Sequence, residues 1–574
     1  MSASSRLRRG APRFLFCLFC AAGATSCNAI FGIQDGQLTG GGGPGGSGAT
    51  GGGGTGTQGG GGATGGNDTT GGGGSTTTGT GPCAAFPTPD GQDTVWAKQA
   101  TGTFEDRGIA IGWQPGGGVI VAGAYDSDDF KVGSNVLPHP THADGPGEGY
   151  NLFVARYDGD GKPDWSVGFE GRERQMPFSL DVDGAGAAVV GGYLWNEMKV
   201  GAETFTVNKQ YAEDSMDGFV IKLDAAGGVE WARQLGGDST EQVMSVAFDS
   251  QGNVVVLGVA YFTAAAPAPA SVPADFGCGP RDLELDTQTV FLTKLSPAGE
   301  CVWDRQYEVQ TRFLGFYNQP DGLALTVDQN DGILIGGAFW NSADLGDGHF
   351  LSAPGNADIF LVEVDPLGEI LRATSFGDPA LQTVSALATD PSGDIWLAGN
   401  FSQTITLDPL PTQSDPAMDP SNWKAYLARL DRDPTGVTAP EPVFLRTFID
   451  AGWIYVGNLV VTIDGDVAIG GSVMGLAASQ GIDFGDGNKV APPGIHTDLG
   501  YYPDGYVAKY CSNGGLRWAR RIGTTALEEL VGITADDAGH VFATGTFGGK
   551  FDFGGGQALT PAGYDPFTLK IGPF

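Results

Sequence analysis

The sequence predicts an all-β repeat fold, and three observations carry that prediction. From residue 94 onward, short apolar alternations bounded by Gly, Asp and Pro follow one another with almost no helical periodicity. A large apolar residue recurs about every 70 residues, as Trp96, Trp165, Trp231, Trp303, Leu371, Phe444 and Trp518. A glycine keeps the same period, as Gly123, Gly191, Gly258, Gly337, Gly399, Gly471 and Gly545. Self-similarity at that spacing, with four strand-length segments in each copy, signals a propeller, and seven copies predict seven four-stranded blades.

In chain order, Arg6, Arg8, Arg9 and Arg13 lead into the apolar run 14–22, giving the charged and hydrophobic regions of a signal peptide over residues 1–26. The run is too short to cross a bilayer as a mature helix. Cys17 and Cys20 inside it read as small hydrophobes. Ala24-Thr25-Ser26-Cys27 resembles a bacterial lipobox, in which the cysteine is diacylglycerol-modified and becomes the mature N-terminus. Ala24 departs from that pattern, which usually has leucine there. The resemblance assigns lipidation to Cys27. The stretch Cys27-Asn28-Ala29-Ile30-Phe31-Gly32-Ile33 is similar to the starts of myxobacterial surface lipoproteins. Asn28 stands where an aspartate retains many lipoproteins at the inner membrane, so the resemblance points to anchorage in the outer membrane. The competing reading is cleavage after Ala22-Gly23-Ala24, which fits the A-x-A pattern and releases a soluble secreted protein.

After a lipid-anchored start at 27–39, residues 40–82 are nearly all Gly, Thr and Ser, a composition that cannot bury enough apolar surface to fold. They form a disordered tether. At roughly 5 to 6 Å per square-root residue its r.m.s. reach is about 35 to 40 Å. Its glycine triplets meet phosphate-loop patterns by chance, since no strand precedes them and no helix follows.

Residues 83–574 form the repeat domain. The cleanest unit joins Glu230-Trp231-Ala232-Arg233, Val246-Ala247-Phe248-Asp249-Ser250-Gln251-Gly252, Val254-Val255-Val256-Leu257-Gly258 and an element such as Asp217-Gly218-Phe219-Val220-Ile221-Lys222. The turn before each glycine strand carries Asp183, Asp249, Asp328, Asp390, Asp464 and Asp536, with Gln114 in the first copy. The body starts with the Trp-bearing strand around Trp96 and stops after Phe567-Thr568-Leu569-Lys570-Ile571. The last blade therefore lacks its outermost strand, and the N-terminal strand is expected to supply it and close the ring. This pattern of D-x-F-V-x-K, G, W and D-x-x-G resembles the bacterial β-propeller repeat family of extracellular proteins and surface lipoproteins, from Thr94 to Phe574. No WD dipeptide recurs through the units.

The formal net charge of −35, with no basic stripe, excludes nucleic acid as a partner. Length variation is concentrated between second and third strands, which antiparallel topology puts on one face. That long-loop face is the expected binding surface for a protein, peptide or glycan. The expected function is a monomeric, surface-displayed binding or scaffolding module, and the rival is an extracellular polysaccharide lyase or glycosidase. No HExxH or G-x-S-x-G occurs, so no catalytic residue and no required cofactor is assigned.

Weak metal candidates are His139, His142 and Asp144, near Glu148, in the first insertion. Asp344 and Asp347, with Asp483 and Asp486, lie in Asp-Gly insertions like Asp552-Phe553-Gly554, where calcium competes with Asx turns as the explanation. The repeated Asp217, Asp358, Asp504 and Asp565, with Asn151 in the first copy, read as structural, because a catalytic residue need occur once. The repeated tryptophans read as core. A disulfide is expected between Cys83 and Cys511, which topology brings to one rim. Cys278 and Cys301 are disfavoured as a pair, at about 20 to 25 Å apart along an extended strand.

Overall fold

The computed structural model describes residues 94–573 except 139–148, 211–214, 264–267, 312–322, 354–355, 416, 419–421, 434–437, 450–451, 475–480, 486, 488, 491–502, 525, 555 and 557. All lie within the unit Thr78–Phe574. They form strands and turns, and no helix long and apolar enough to cross a membrane occurs among them. The calls on Cys27, Cys83, His139, His142, Asp144 and Asp486 fall outside the described residues.

Four-stranded antiparallel units repeat along the chain. The first runs from the innermost strand Asp106–Trp113 through Val119–Tyr125 and Asn151–Tyr157 to the outer strand Pro163–Phe169. The second runs Gln175–Val182, Ala188–Leu194, Asp217–Leu223, Val229–Gly237, and the third Thr240–Phe248, Val254–Tyr261, Gln288–Leu295, Cys301–Thr311. Leu323–Val327, Ile333–Asp344, Asp358–Val364 and Ile370–Phe376 follow, then Ala386–Thr389, Ile395–Ser402, Trp423–Asp431 and Glu441–Phe448. The next unit is Trp453–Val461, Val467–Met474, Asp504–Tyr510 and Leu516–Ile522. The last has Glu528–Ala535, Val541–Phe547 and Asp565–Ile571, and its fourth strand is Thr94–Gln99 from the other end of the chain, paired from Thr94 with Ile571 to Gln99 with Phe567. Successive innermost strands lie side by side, and Glu528–Ala535 lies against both Trp453–Val461 and Asp106–Trp113.

The recurring glycine has a steric cause. Opposite it, the innermost strand bulges, as between Gly108 and Ala110 or Val243 and Ser245, and turns a carbonyl onto the second strand. A Cβ on Gly123 would lie 2.0 Å from the Arg107 carbonyl, and one on Gly258 would run into the Phe291 ring of the third strand. In the second unit the residue facing the third-strand aromatic is Gly192, opposite Phe219, so the expected Gly191 is one position out of register. The tryptophans fasten neighbours together. Trp96 Nε1 donates to Gly159 O at 3.0 Å, Trp165 to Ala225 O at 3.1 Å, Trp231 to Pro297 O at 2.9 Å and Trp303 to Pro366 O at 3.2 Å, each in a turn of the following unit.

The turn aspartates cap their turns. Asp249 Oδ1 accepts from Gln251 N and Asn253 N at 2.9 and 2.8 Å. In the sixth unit the capping position belongs to Thr462, whose N–H reaches Asp466 O at 2.8 Å, and the expected Asp464 sits exposed two residues farther on.

Between second and third strands every unit inserts a hairpin, for example Glu197–Val200 with Glu203–Thr206, Ser271–Asp275 with Pro280–Glu284, and Ile482–Asp483 with Lys489–Val490. These hairpins fold over the seam to the preceding unit. Met198 pairs with Gly171, Asp275 with Gly236 and Asp344 with Glu308. That fold-back corrects the expectation that disfavoured Cys278 and Cys301 as a pair: they are bonded, with Cα atoms 5.0 Å apart. The extended-strand estimate fails because the hairpin hangs back along Gln288–Leu295, where Thr293 Oγ1 donates to Phe276 O at 2.7 Å, bringing its turn to the start of the outer strand. Cys511 is also disulfide-bonded.

Candidate functional site

The acidic insertions resolve into turn chemistry. Asp344 Oδ1 accepts from Gly346 N at 2.9 Å, and Asp347, exposed, has a left-handed φ of 50° beside it. Asp483 Oδ1 accepts from Gly485 N and Gly487 N at 2.7 and 3.1 Å, and Asp552 Oδ1 from Gly554 N at 2.9 Å. A further copy, Asp275-Phe276-Gly277, repeats this bonding and escaped the sequence reading. The residue after each aspartate, Phe276, Leu345, Phe484 or Phe553, is buried. Phe484 lies 5.6 Å from Phe448 of the preceding unit and 5.2 Å from Tyr506 of its own. The aspartate caps the turn, and the apolar residue is a wedge between units. Among the described residues no group of three His, Cys, Asp or Glu side chains converges.

The acids that open the third strands stand at seams. Backbone bonds join the residue before each one to the next innermost strand: Asp106 N to Tyr564 O at 2.7 Å, Gln175 N to Tyr150 O at 2.7 Å, Glu241 N to Met216 O at 2.8 Å, Gln382 N to Ala357 O at 2.9 Å and Glu528 N to Pro503 O at 3.0 Å. Each of these five seams thereby sets one acid or amide from the third strand beside another from the next unit. Burial pushes Asp217 up to about 7 and Asp358 to about 6. The pairs are spread one to a seam and join neighbouring units.

A cavity of about 300 Å³ opens at the other end of the strands, among the short turns of the fourth, fifth and sixth units. Here the repeat breaks its own rule. In three units a third-strand lysine answers an acid of the short turn: Lys294 meets Asp249 at 2.8 Å, Lys509 meets Asp466 at 3.5 Å and Lys570 meets Asp536 at 3.5 Å. In the fourth unit that position is Glu363. Arg432, just past the third strand of the fifth unit, crosses over to supply the charge, with Nη1 2.5 Å from Asp328 and Nε 2.8 Å from Glu363. Arg372 holds the other oxygen of Glu363 at 2.8 Å.

Asn330, Thr389, Asp390, Thr462 and Ile463 line the cavity beside Arg432. Asp390 is committed to its turn, accepting from Ser392 N at 2.8 Å and Trp396 Nε1 at 3.3 Å. The acids here are acceptors already in use, so the arrangement suits recognition by guanidinium, amide and hydroxyl groups, with the exposed Ile463 as an apolar rim. The sequence signal for this site was the charge reversal in Asp358-Ile359-Phe360-Leu361-Val362-Glu363, where the other copies end in a cation.

No family model matches the chain. Over 318 residues it is 24% identical to an uncharacterized WD repeat-containing protein of Acanthamoeba polyphaga mimivirus, a match covering 52% of this chain and 20% of that protein. The chain therefore spans about a fifth of that relative's length. Among solved structures it is similar to a protein of unknown function from Dyadobacter fermentans, at 12% identity and a TM-score of 0.35, over 83% of this chain and 98% of that one. It is also similar to a putative gluconolactonase (9%, 0.27, 83% and 92%) and to virginiamycin B lyase from Staphylococcus aureus with quinupristin (9%, 0.27, 69% and 94%). The arrangement of repeated four-stranded antiparallel units, innermost strands side by side, is of the propeller type.

Proposed function

We propose that the protein is a cell-surface lipoprotein, held to the outer membrane through lipidated Cys27, whose 40–82 tether carries a seven-bladed β-propeller acting as a binding or scaffolding module. The pairing of Thr94–Gln99 with Asp565–Ile571 and the contact of the last innermost strand with the first support a closed ring. The partner is a protein, peptide or glycan on the long-loop face, where the hairpins expose Val136 and Phe350. A second candidate contact lies at the opposite end of the strands, in the Arg432 cavity, where the third-strand cation of the other copies is replaced by Glu363 and Arg432 comes from the next unit to balance it.

The test is a pull-down and glycan-array screen with the full chain, with and without calcium, beside an Arg432→Ala variant. Retention of a partner by the parent supports the module, and its loss in the variant assigns the contact to the cavity. Turnover of an arrayed glycan would instead establish the enzyme. Cys27→Ser should abolish labelled-lipid incorporation and move the protein to the soluble fraction. Normal labelling in that variant rejects the anchor.

A further inference from the structure

The seams form a natural substitution series. Two of them place glutamine on the incoming chain: Gln175 in the innermost strand beside Asn151, and Gln382, in the short strand Leu381–Gln382 ahead of Ala386–Thr389, beside Asp358. Both glutamines donate, Gln175 Nε2 to Glu197 O at 3.0 Å and Gln382 Nε2 to Thr404 O at 3.0 Å. Where Glu241 stands, the same position is acidic, and a protonated glutamic acid is the isostere of glutamine.

The surroundings of Glu241 leave it little choice. Glu241 is 0% and Asp217 2% exposed. One oxygen of each is served: Ser239 Oγ donates to Glu241 Oε1, and Gln234 Nε2 donates to Asp217 Oδ2 at 2.5 Å. The other oxygens, Asp217 Oδ1 and Glu241 Oε2, meet no donor in full hydrogen-bond geometry among the described residues, and the Gly237 N–H beside the Glu241 carboxyl offsets its burial only in part. Both lie 2.8 Å from the point that a Cβ on Gly236 would occupy, so they face one small space. The charged group acting on both carboxyls is Asp238, another acid, which adds repulsion. The other seams with two acids differ. Asp504 has Arg521 at 2.9 Å and Glu528 takes Thr524 N at 2.7 Å, while Asp565 accepts from Gly102 N at 3.1 Å and Asp106 from Ser127 N at 3.1 Å.

We propose that Asp217 and Glu241 share one proton at neutral pH, so that a carboxylic acid to carboxylate hydrogen bond closes the seam between the second and third units and weakens in alkali. Burial pushes Asp217 up to about 7, and burial with Asp217 beside it raises Glu241 well above its ordinary range. The folded chain then binds more protons than the unfolded one. Stability therefore falls as pH rises from about 4, the unfolded value, through the folded value.

The experiment is urea unfolding of the full chain from pH 5 to 9, for the parent, Glu241→Gln and Asp217→Asn. Across the window, each pH unit should shift the parent's unfolding constant about tenfold more than that of either variant, the mark of one extra bound proton. An infrared band of protonated carboxyl should persist at pH 7 in the parent and weaken in Glu241→Gln, which keeps the readout if one variant fails to fold. Parallel pH profiles, or no such band difference, overturn the proposal. So does stabilisation by calcium at pH 8 in the parent alone, which would put a cation in the proton's place.

Discussion

The insertion hairpins and the Arg432 cavity lie at opposite ends of the strands and treat the repeat in opposite ways. The hairpins vary in length and sequence, yet four of them bury the same kind of wedge, Phe276, Leu345, Phe484 or Phe553. The short turns vary less, apart from the longer connection from Asp431 to Glu441, and at one place the repeated cation position reverses to Glu363, which Arg432 in that connection balances from the next unit. Variation in the hairpins thus served packing, whereas a reversed charge and its partner from a longer connection line a cavity.

If the seams bear the stability, their loss should rank by how much of a seam is removed. Deleting Val95 to Gln99 takes away most of the strand that completes the last unit and exposes two sheet edges. The expected loss exceeds about 5 kcal/mol, comparable with the whole stability of a typical domain. Thermal unfolding at the parent's midpoint would refute the closure. Phe484→Ala removes a wedge with rings on both sides and should cost about 3 to 5 kcal/mol by urea titration, whereas a loss below about 1 kcal/mol would mean that the hairpin packs loosely.

Cys278→Ser tests whether the third hairpin needs its covalent tie as well as its wedge. With Phe276 stacked on Phe291 at 4.6 Å the hairpin is already seated, and the bond should add about 2 to 4 kcal/mol. Non-reducing peptide mapping checks the pairing directly. A Cys278 peptide joined to any partner other than Cys301 would contradict the fold-back.

What the sequence disclosed depended on whether a residue's role was local. Trp231 and Gly258 announce their period because each meets the same kind of neighbour in copy after copy, a carbonyl of the next unit for Trp96, Trp165, Trp231 and Trp303 and a bulge and ring for the glycine. The path of an insertion depends on which surface receives it, so Cys278 was misplaced by a straight-chain estimate that ignored the groove beside Thr293. The cavity was hidden for a related reason. Glu363 breaks the D-x-F-V-x-K pattern in the sequence, but its answer, Arg432, comes from another unit and has no counterpart in the repeat.

The smallest expected effect tests the register of the sixth turn, where aligning aspartates misled. Asp249 shows what a true cap does: besides its two turn amides it holds Lys294 at 2.8 Å, and Lys294 is only 4% exposed. Asp249→Ala would leave that ammonium buried without its carboxylate, at a cost of about 3 to 5 kcal/mol. If Asp464 were the equivalent residue, its replacement should cost the same. In the structure Thr462 closes the turn, accepting from Gly465 N at 2.8 Å, while Asp466, not Asp464, faces the cations, with Oδ2 2.6 Å from Arg517 Nε and 3.5 Å from Lys509. Asp464 projects into solvent. Asp464→Ala should therefore change stability by less than about 0.5 kcal/mol, the range of an ordinary surface substitution. A loss matching that of Asp249→Ala in parallel urea titrations would return the cap to Asp464 and move Thr462, which lines the Arg432 cavity, out of the turn position assigned to it.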